Sequence, residues 1–207
     1  KIPLIHIEAG LRSFNKAMPE EINRVITDHI SSILFCPSNI SKNNLKQEGI
    51  EKNVFVVGDV MYDIFKKWES RFNYKNKYGD YALLTMHRAE NTVPDILRKR
   101  LAQLSELDMQ IIYPIHPRTK KVLSQNEITI PKNIQIIEPV GWIELMGIGR
   151  NARLIITDSG GLQKEALWLK KYCLTIREQT EWVETIQQDV NQLIKVDDNI
   201  SIPDIRK

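Results

Sequence analysis

Cysteine is nearly missing from this sequence. The two thiols, Cys36 and Cys173, stand far apart in apolar, strand-like surroundings. No disulfide framework is expected, and both read as buried free thiols. The four histidines, His6, His29, His87 and His116, are scattered without paired spacing. That leaves no metal-ligand cluster, and neither a metal nor a cofactor is expected. Long apolar runs are lacking too. None approaches the roughly 20 residues a membrane-spanning helix needs, so no membrane partner is expected. The apolar opening at residues 1–7 is too short for a signal peptide and has no small-residue cleavage site, which makes a cytoplasmic protein the default. Basic blocks are absent: the formal net charge is +3, with no run of more than a few cations. Nucleic acid is therefore not expected as a partner, whereas a mild positive balance suits a site that holds a diphosphate. An initiator methionine is also lacking. The chain begins directly on an apolar stretch, and the expectation is a fragment of a longer protein.

What is present is an alternation of short apolar runs and amphipathic stretches. Residues 2–7 read as a buried strand. Residues 19–34 read as a helix, with Ile22, Val25, Ile26, His29, Ile30 and Ile33 making one stripe at three- and four-residue spacing. Pro19 suits its first turn, and Glu20 and Glu21 suit its dipole. A strand at 33–36, a helix at 38–48 stopped by Gly49 and a strand at 54–57 follow. Residues 59–80 look like a transition, with a short helix at 62–68 and a polar linker at 71–80. A second series then begins. Strands are expected at 81–86, 110–115, 134–137, 154–157 and 172–176. Helices are expected at 94–107, 118–124, 143–149, 162–169 and 181–188. Such alternation predicts an α/β fold, with parallel sheets wrapped by helices.

The chemically unusual residues follow the carboxyl ends of these strands, the edge where open α/β sheets bind ligands. Thr157-Asp158-Ser159-Gly160-Gly161 joins a strand to a helix. Glycines admit a close ligand, free amides at a helix start attract anions, and Ser159 can add a donor. The plain alternative is a glycine turn with Ser or Asp capping the helix. Glu165, one turn further on, can accept from the hydroxyls of a ribose or stand solvated. Gln163 and Lys164 read as surface positions. His87-Arg88 and His116-Pro117-Arg118 place cations after two neighbouring strands, as a departing diphosphate needs. Arg177 follows the strand expected at 172–176. Glu8, directly behind an apolar strand, is costly there unless paired or functional. Glu8 and Glu20 can converge as an acid/base pair, although a Glu20–Arg24 pair at four-residue spacing explains the latter without chemistry. Trp182 reads as core packing.

Taken in order, these strings resemble the non-hydrolysing UDP-N-acetylglucosamine 2-epimerases. The resemblance rests on His6-Ile7-Glu8-Ala9-Gly10-Leu11-Arg12, Pro19-Glu20-Glu21-Ile22-Asn23-Arg24, Thr85-Met86-His87-Arg88-Ala89-Glu90-Asn91, His116-Pro117-Arg118, the stretch from Thr157 to Ala166, and Arg177 to Glu184. It implies a GT-B type fold of two Rossmann-like domains, the first incomplete in this chain. Residues 1–58 are then the end of the first domain, 59–80 a linker and 81–207 the UDP-binding domain. It implies a reaction in which UDP is eliminated across C1 and C2 and added back with C2 inverted, serving surface polysaccharide precursors. By similarity Glu8, Glu20 and His87 match catalytic positions. Arg88, His116, Ser159, Gly160, Gly161, Glu165 and Arg177 match substrate-binding ones. A UDP-sugar is the implied partner, and a homodimer the implied assembly. The Trp182-Val183-Glu184 and His87-Arg88-Ala89 wording is similar to the branch acting on UDP-2,3-diacetamido-glucuronate.

The sequence also departs from the family. Its Gly-Thr-Arg-Pro-Glu loop and Gly-Asp-Thr carboxylate do not occur, nor does its carboxyl-terminal Gly-Asp-Gly segment. Lys170-Lys171-Tyr172-Cys173 stands for the usual Gly-Lys-Pro, and Gln187-Gln188-Asp189 for the usual Ala-Gly. Two other readings therefore remain: a GT-B glycosyltransferase, which would not need both Glu8 and Glu20, and an inactive fragment that at most binds UDP.

Overall fold

The structure is a computed structural model that describes residues 2–180, 182, 186 and 190–200. It divides into two compact units, Lys1–Lys67 and Trp68–Lys207. The expected helix at 181–188 falls almost wholly outside the described residues. The free thiols lie buried on strands in both units. Burial pushes Cys36 up to about 11 and Cys173 up to about 12, so neither supplies thiolate at neutral pH.

The first unit is a three-stranded parallel sheet in the order β1-β2-β3: Ile5–Ile7, Ile33–Cys36 and Val54–Val56. Helices α1 (Pro19–Ile30) and α2 (Asn39–Gln47) form the crossovers, and α3 (Val60–Trp68) follows β3. Its apolar cluster is small: Ala9, Leu34, Cys36, Leu45 and Val54. Two expectations are corrected here. The first strand is not buried; it is an edge strand with Ile5 and Ile7 about half exposed. Nor does the isoleucine stripe of α1 face this unit's core, since Ile22, Ile26 and Ile30 are exposed. The residues α1 buries are Glu21 and Asp28. Apolar periodicity locates a helix, but the face it turns inward depends on which partners the fold supplies. Here those partners are hydrogen-bond donors.

The donors come from the loop after β1. Asp28 accepts from His6 Nδ1 at 2.6 Å, from Gly10 N at 3.1 Å and from Arg12 Nη1 at 2.7 Å. Glu21 accepts from Ser13 N, Ser13 Oγ and Phe14 N. Arg12 also donates two bonds to Glu48 at the end of α2, at 2.6 and 2.7 Å. The loop needs this anchoring because its backbone is unusual: Glu8, Gly10 and Phe14 all have φ near +60 to +80°. Gly10 cannot be replaced cheaply. A Cβ there would lie 2.2 Å from the carbonyl oxygen of Ser41 on α2, in a left-handed conformation besides.

The second unit is a six-stranded parallel sheet in the order β6-β5-β4-β7-β8-β9. The strands are β4 (Tyr81–Thr85), β5 (Gln110–Pro114), β6 (Ile134–Ile137), β7 (Leu154–Thr157), β8 (Tyr172–Thr175) and β9 (Asn191–Leu193). The connecting helices are α4 (Pro94–Ser105), α5 (Pro117–Gln125), α6 (Trp142–Asn151) and α7 (Gly160–Trp168). All but the last strand were legible in the sequence. β9 was not, because Asn191-Gln192-Leu193 carries no apolar run, and it pairs only as an edge. Within the unit the strands run in the order 3-2-1-4-5-6, so the chain reverses direction across the sheet between β4 and β7. Central strands are buried on both faces, and accordingly Tyr81-Ala82-Leu83-Leu84 and Leu154-Ile155-Ile156 are continuously apolar. The core extends from Ala82 through Leu97, Leu104, Tyr113 and Ile156 to Ile194. Each such fully buried leucine or isoleucine contributes about 1.5–3 kcal/mol.

Candidate functional site

The reversal between β4 and β7 is a topological switch point, and ligands of open α/β sheets bind outside the strand ends there. Thr85 and Thr157 are register partners at the carboxyl ends of the two strands, with hydroxyls 2.7 Å apart. Immediately beyond them stand His87-Arg88 on one side and Asp158-Ser159-Gly160 on the other. The expected gathering of polar loops at one sheet edge is thus realised for the second unit.

Asp158 ties these loops together. It is fully buried, and its Oδ2 accepts from His87 N at 2.9 Å, Arg88 N at 2.8 Å and Asn91 Nδ2 at 3.2 Å. Its Oδ1 lies 3.3 Å from His87 Nδ1. Asn91 reaches on to the carbonyl of Ile176, next to Arg177, and accepts from the buried Arg100. The residue before His87 is fixed as well: Met86 O accepts from Tyr113 Oη and Thr119 Oγ1. The loops after β4, β7 and β8 are therefore one hydrogen-bonded assembly. The loop after β5 joins it through His116, whose ring centre is 6.0 Å from that of His87. His116 also caps α5, accepting from Arg118 N.

Ser159 is the N-cap of α7, its hydroxyl accepting from Leu162 N at 3.4 Å, while its own amide donates to Thr157 Oγ1. Gly160 and Gly161 form the first turn of α7, where helix amides lack intrahelical acceptors and favour anions. The capping reading of this motif is realised, and the glycine amides start the helix beside that cap. Gln163 and Lys164 are not surface residues; both are buried. Gln163 accepts from Thr180 Oγ1 and Asn191 Nδ2, locking α7 to the strand β9 that the sequence did not reveal. Lys164 lies 3.9 Å above the ring of the buried Trp182, which is the packing role expected of that tryptophan.

Glu165 is neither solvated nor exposed. It is buried, and its Oε1 accepts from Trp142 Nε1 at 2.6 Å. Trp142 in turn lines a cavity of about 590 Å³, together with Asn73, Tyr74, Gly141, Ile143 and Glu144. Burial raises the Glu165 pKa, and the Trp142 bond and Lys164 only partly oppose that rise. An ionised carboxylate held there costs stability that a glutamine would not. Glu165→Gln is therefore expected to melt at the same or a higher temperature at pH 7, with that gain gone near pH 3, below the ordinary glutamate value, where the parent carboxyl is neutral in both states. Affinity for UDP should fall by roughly 10-fold or more, as a lost charged hydrogen bond implies. Melts at the two pH values and calorimetric titration with UDP check both halves. Unchanged affinity would remove Glu165 from the site.

In the first unit Glu8 leaves β1 in the left-handed region, at φ 69°, and such backbone costs roughly 1–3 kcal/mol. Glu20 is exposed in the first turn of α1. The loop 8–14 and the start of α1 are fastened to each other through Glu21 and Asp28, so both carboxylates stand on a fixed frame. Arg24 Nη1 lies 3.6 Å from Glu21, and its Nε donates to the carbonyl of Glu20.

Asp158, Asn91, Asp28 and Trp142 are the contributors that sequence reasoning passed over. For Asp158 a signal existed: an acidic residue directly after the strand Leu154-Ile155-Ile156-Thr157 is costly unless paired. Among the described residues no group of three or more His, Cys, Asp or Glu could hold a metal ion, and no helix is long and apolar enough to cross a membrane.

Comparison with known proteins places this geometry. The family model described as UDP-N-acetylglucosamine 2-epimerase matches residues 1–202. A UDP-N-acetylglucosamine 2-epimerase of Methanocaldococcus jannaschii is 47% identical over 94% of this chain and 58% of its own length. A UDP-2,3-diacetamido-2,3-dideoxy-D-glucuronate 2-epimerase of Pseudomonas aeruginosa is 42% identical over 93% of this chain and 57% of its own. Among solved structures, the M. jannaschii UDP-GlcNAc 2-epimerase in complex with UDP-GlcNAc and UDP superposes with a TM-score of 0.84 at 45% identity, over 94% of this chain and 59% of that one. The Neisseria meningitidis UDP-GlcNAc 2-epimerase bound to UDP-GlcNAc gives 0.75 at 31% identity, over 94% and 58%. The chain thus spans about three fifths of the length of these relatives. The α/β, GT-B type fold expected from the sequence is the one these structures share.

Proposed function

The chain belongs to the UDP-N-acetylglucosamine 2-epimerase family, and from that premise we propose that the protein it represents inverts C2 of UDP-N-acetylglucosamine to give UDP-N-acetylmannosamine. The observation that carries this reading is the assembly at the switch point, where one buried carboxylate fixes the His87-Arg88 loop beside the amino end of α7. That is an anion-binding edge, and a diphosphate is the anion it suits.

The chemistry follows from what the residues can do. A base removes the C2 proton, the C1–O bond breaks, and UDP departs with the bonding pair, leaving a C1=C2 double bond. UDP oxygen then re-adds at C1 while a proton is delivered to the opposite face of C2. Glu8 and Glu20 are the carboxylates assigned to the proton transfers. His87 and Arg88 stabilise the departing phosphate, together with Ser159 and the amides of Gly160 and Gly161. His116 and Arg177 are assigned to the same phosphate-binding edge, and Glu165 to the ribose. The assembly we assign is a homodimer, working in the cytoplasm.

The Pseudomonas relative favours a second sugar, UDP-2,3-diacetamido-glucuronate, on the same site. Incubation of the full gene product with each UDP-sugar in deuterium oxide, followed by product chromatography and mass spectrometry, decides both points. One sugar should yield its C2 epimer with one deuterium at C2. Absence of exchange with both would sink the epimerase reading.

A further inference from the structure

We propose that Asp158 is a positioning residue that sets the tautomer of His87, holding the proton on Nδ1 so that Nε2 faces the leaving phosphate; this rests on the epimerase reading for its catalytic meaning. The argument is one of donors and acceptors. Asp158 is completely buried, and its two oxygens are used differently. Oδ2 is occupied by three donors: the amides of His87 and Arg88 and the side chain of Asn91. The orientation of Asn91 is set in turn by Arg100, whose Nε donates to Asn91 Oδ1 at 3.3 Å and whose Nη1 donates to the carbonyl of Ile194. Oδ1 is closed off from solvent and has no partner within hydrogen-bond geometry. The ring atom it meets is His87 Nδ1, 3.3 Å away.

A buried carboxylate oxygen can only accept. The nitrogen beside it is favoured as N–H, which leaves Nε2 as the ring atom free for substrate. The His87 ring is itself about half exposed at the sheet edge, with the centre of the His116 ring 6.0 Å from its own. When the ring carries two protons, Nδ1–H stays on Asp158 and Nε2–H donates to the phosphate oxygen that departs with UDP. With the opposite tautomer the lone pair of Nδ1 would face the carboxylate oxygen, an unfavourable contact of two acceptors, and the second proton would have to enter at the inward-facing Nδ1 and not at Nε2.

The same inventory makes Asp158→Asn a clean test. Three donors at the Oδ2 position oblige the amide to put its oxygen there, so its NH2 must occupy the Oδ1 position. The loop backbone keeps its acceptor, while Nδ1 of His87 meets a donor instead and must give up its proton. Long-range proton–nitrogen spectra of the full gene product, with His87 assigned by its loss in His87→Gln, should show Nδ1 protonated in the parent and Nε2 protonated in Asp158→Asn. Turnover should fall about 10²–10³-fold with KM and UDP affinity within about 3-fold, as expected for loss of an orienting partner. A parent spectrum with the neutral ring protonated at Nε2 overturns the proposal, and this arm needs no variant to fold. A flipped tautomer with turnover within about 3-fold of the parent overturns its catalytic part. If neither protein turns over either UDP-sugar yet the tautomer flips, the positioning role stands and the epimerase reading falls.

Discussion

Removing the His87 ring is expected to slow epimerisation by roughly 10²–10⁴-fold, the range of a lost general acid or transition-state donor, while weakening UDP binding by less than about 10-fold. The structure explains why the substitution should be clean. His87 holds its loop by backbone, through its amide to Asp158 and the neighbouring Met86 carbonyl to Tyr113 and Thr119. Its ring projects at the sheet edge and is not part of that scaffold. His87→Ala should therefore keep the loop, the Arg88 position and the start of α7 intact. Ground-state contacts to the diphosphate survive through Arg88 and the α7 amides, and what is lost is the donor needed as the C1–O bond breaks. Steady-state kinetics with the preferred UDP-sugar, set beside calorimetric titration with UDP, separate the two. Equal losses in turnover and affinity would make His87 a binding residue only.

The second large effect concerns stability. Asp28→Ala is expected to destabilise the first unit by about 3–5 kcal/mol, the usual consequence of stranding one partner of a buried ion pair. Asp28 is fully buried between His6, the Gly10 amide and Arg12, and Arg12 is itself buried between Asp28 and Glu48. With an apolar cluster of only five small or medium residues, this unit relies on those bonds to hold the loop that carries Glu8. Burial by itself would raise the Asp28 pKa, but the bonds from His6, Arg12 and Gly10 outweigh it and hold the carboxyl below its ordinary value. The stabilisation is thus complete above the ordinary carboxylate range, near pH 4, and is lost as pH falls through the depressed folded value. Hydrogen exchange by mass spectrometry over residues 6–48 should show protection that collapses below about pH 4 in the parent. In Asp28→Ala that protection should be low at every pH. Full protection in the variant at pH 7 would show that the apolar cluster suffices.

Much of this was legible in the chain itself, and the reason is local. Strands that are buried on both faces must be apolar throughout, so β4 and β7 announce themselves, and the polar residues that break them mark the carboxyl edge of the sheet, the edge at which open α/β sheets in general bind ligands. His87, Arg88, His116 and Ser159 were found that way. Periodicity also located α1, but not the face it buries. Glu21 and Asp28 point inward because the loop after β1 offers amides and a guanidinium, and no spacing rule encodes a partner seven or more residues away. Gln163 and Lys164 were misread for the same reason: polarity suggested solvent, whereas α7 turns them against Asn191, Thr180 and Trp182.

The sequence by itself determined the alternation of strands and helices, the family, and the polar side chains that follow the carboxyl ends of the strands. Each of those depends on residue type and near-neighbour spacing. Only the tertiary structure decided that Asp158 serves the other strand's loop as acceptor, that Glu165 is buried against Trp142, and that carboxylates rather than isoleucines dock α1. Those outcomes depend on which donors are brought within about 3 Å of an acceptor, and in this fold the pairs that matter lie between 7 and 71 positions apart along the chain.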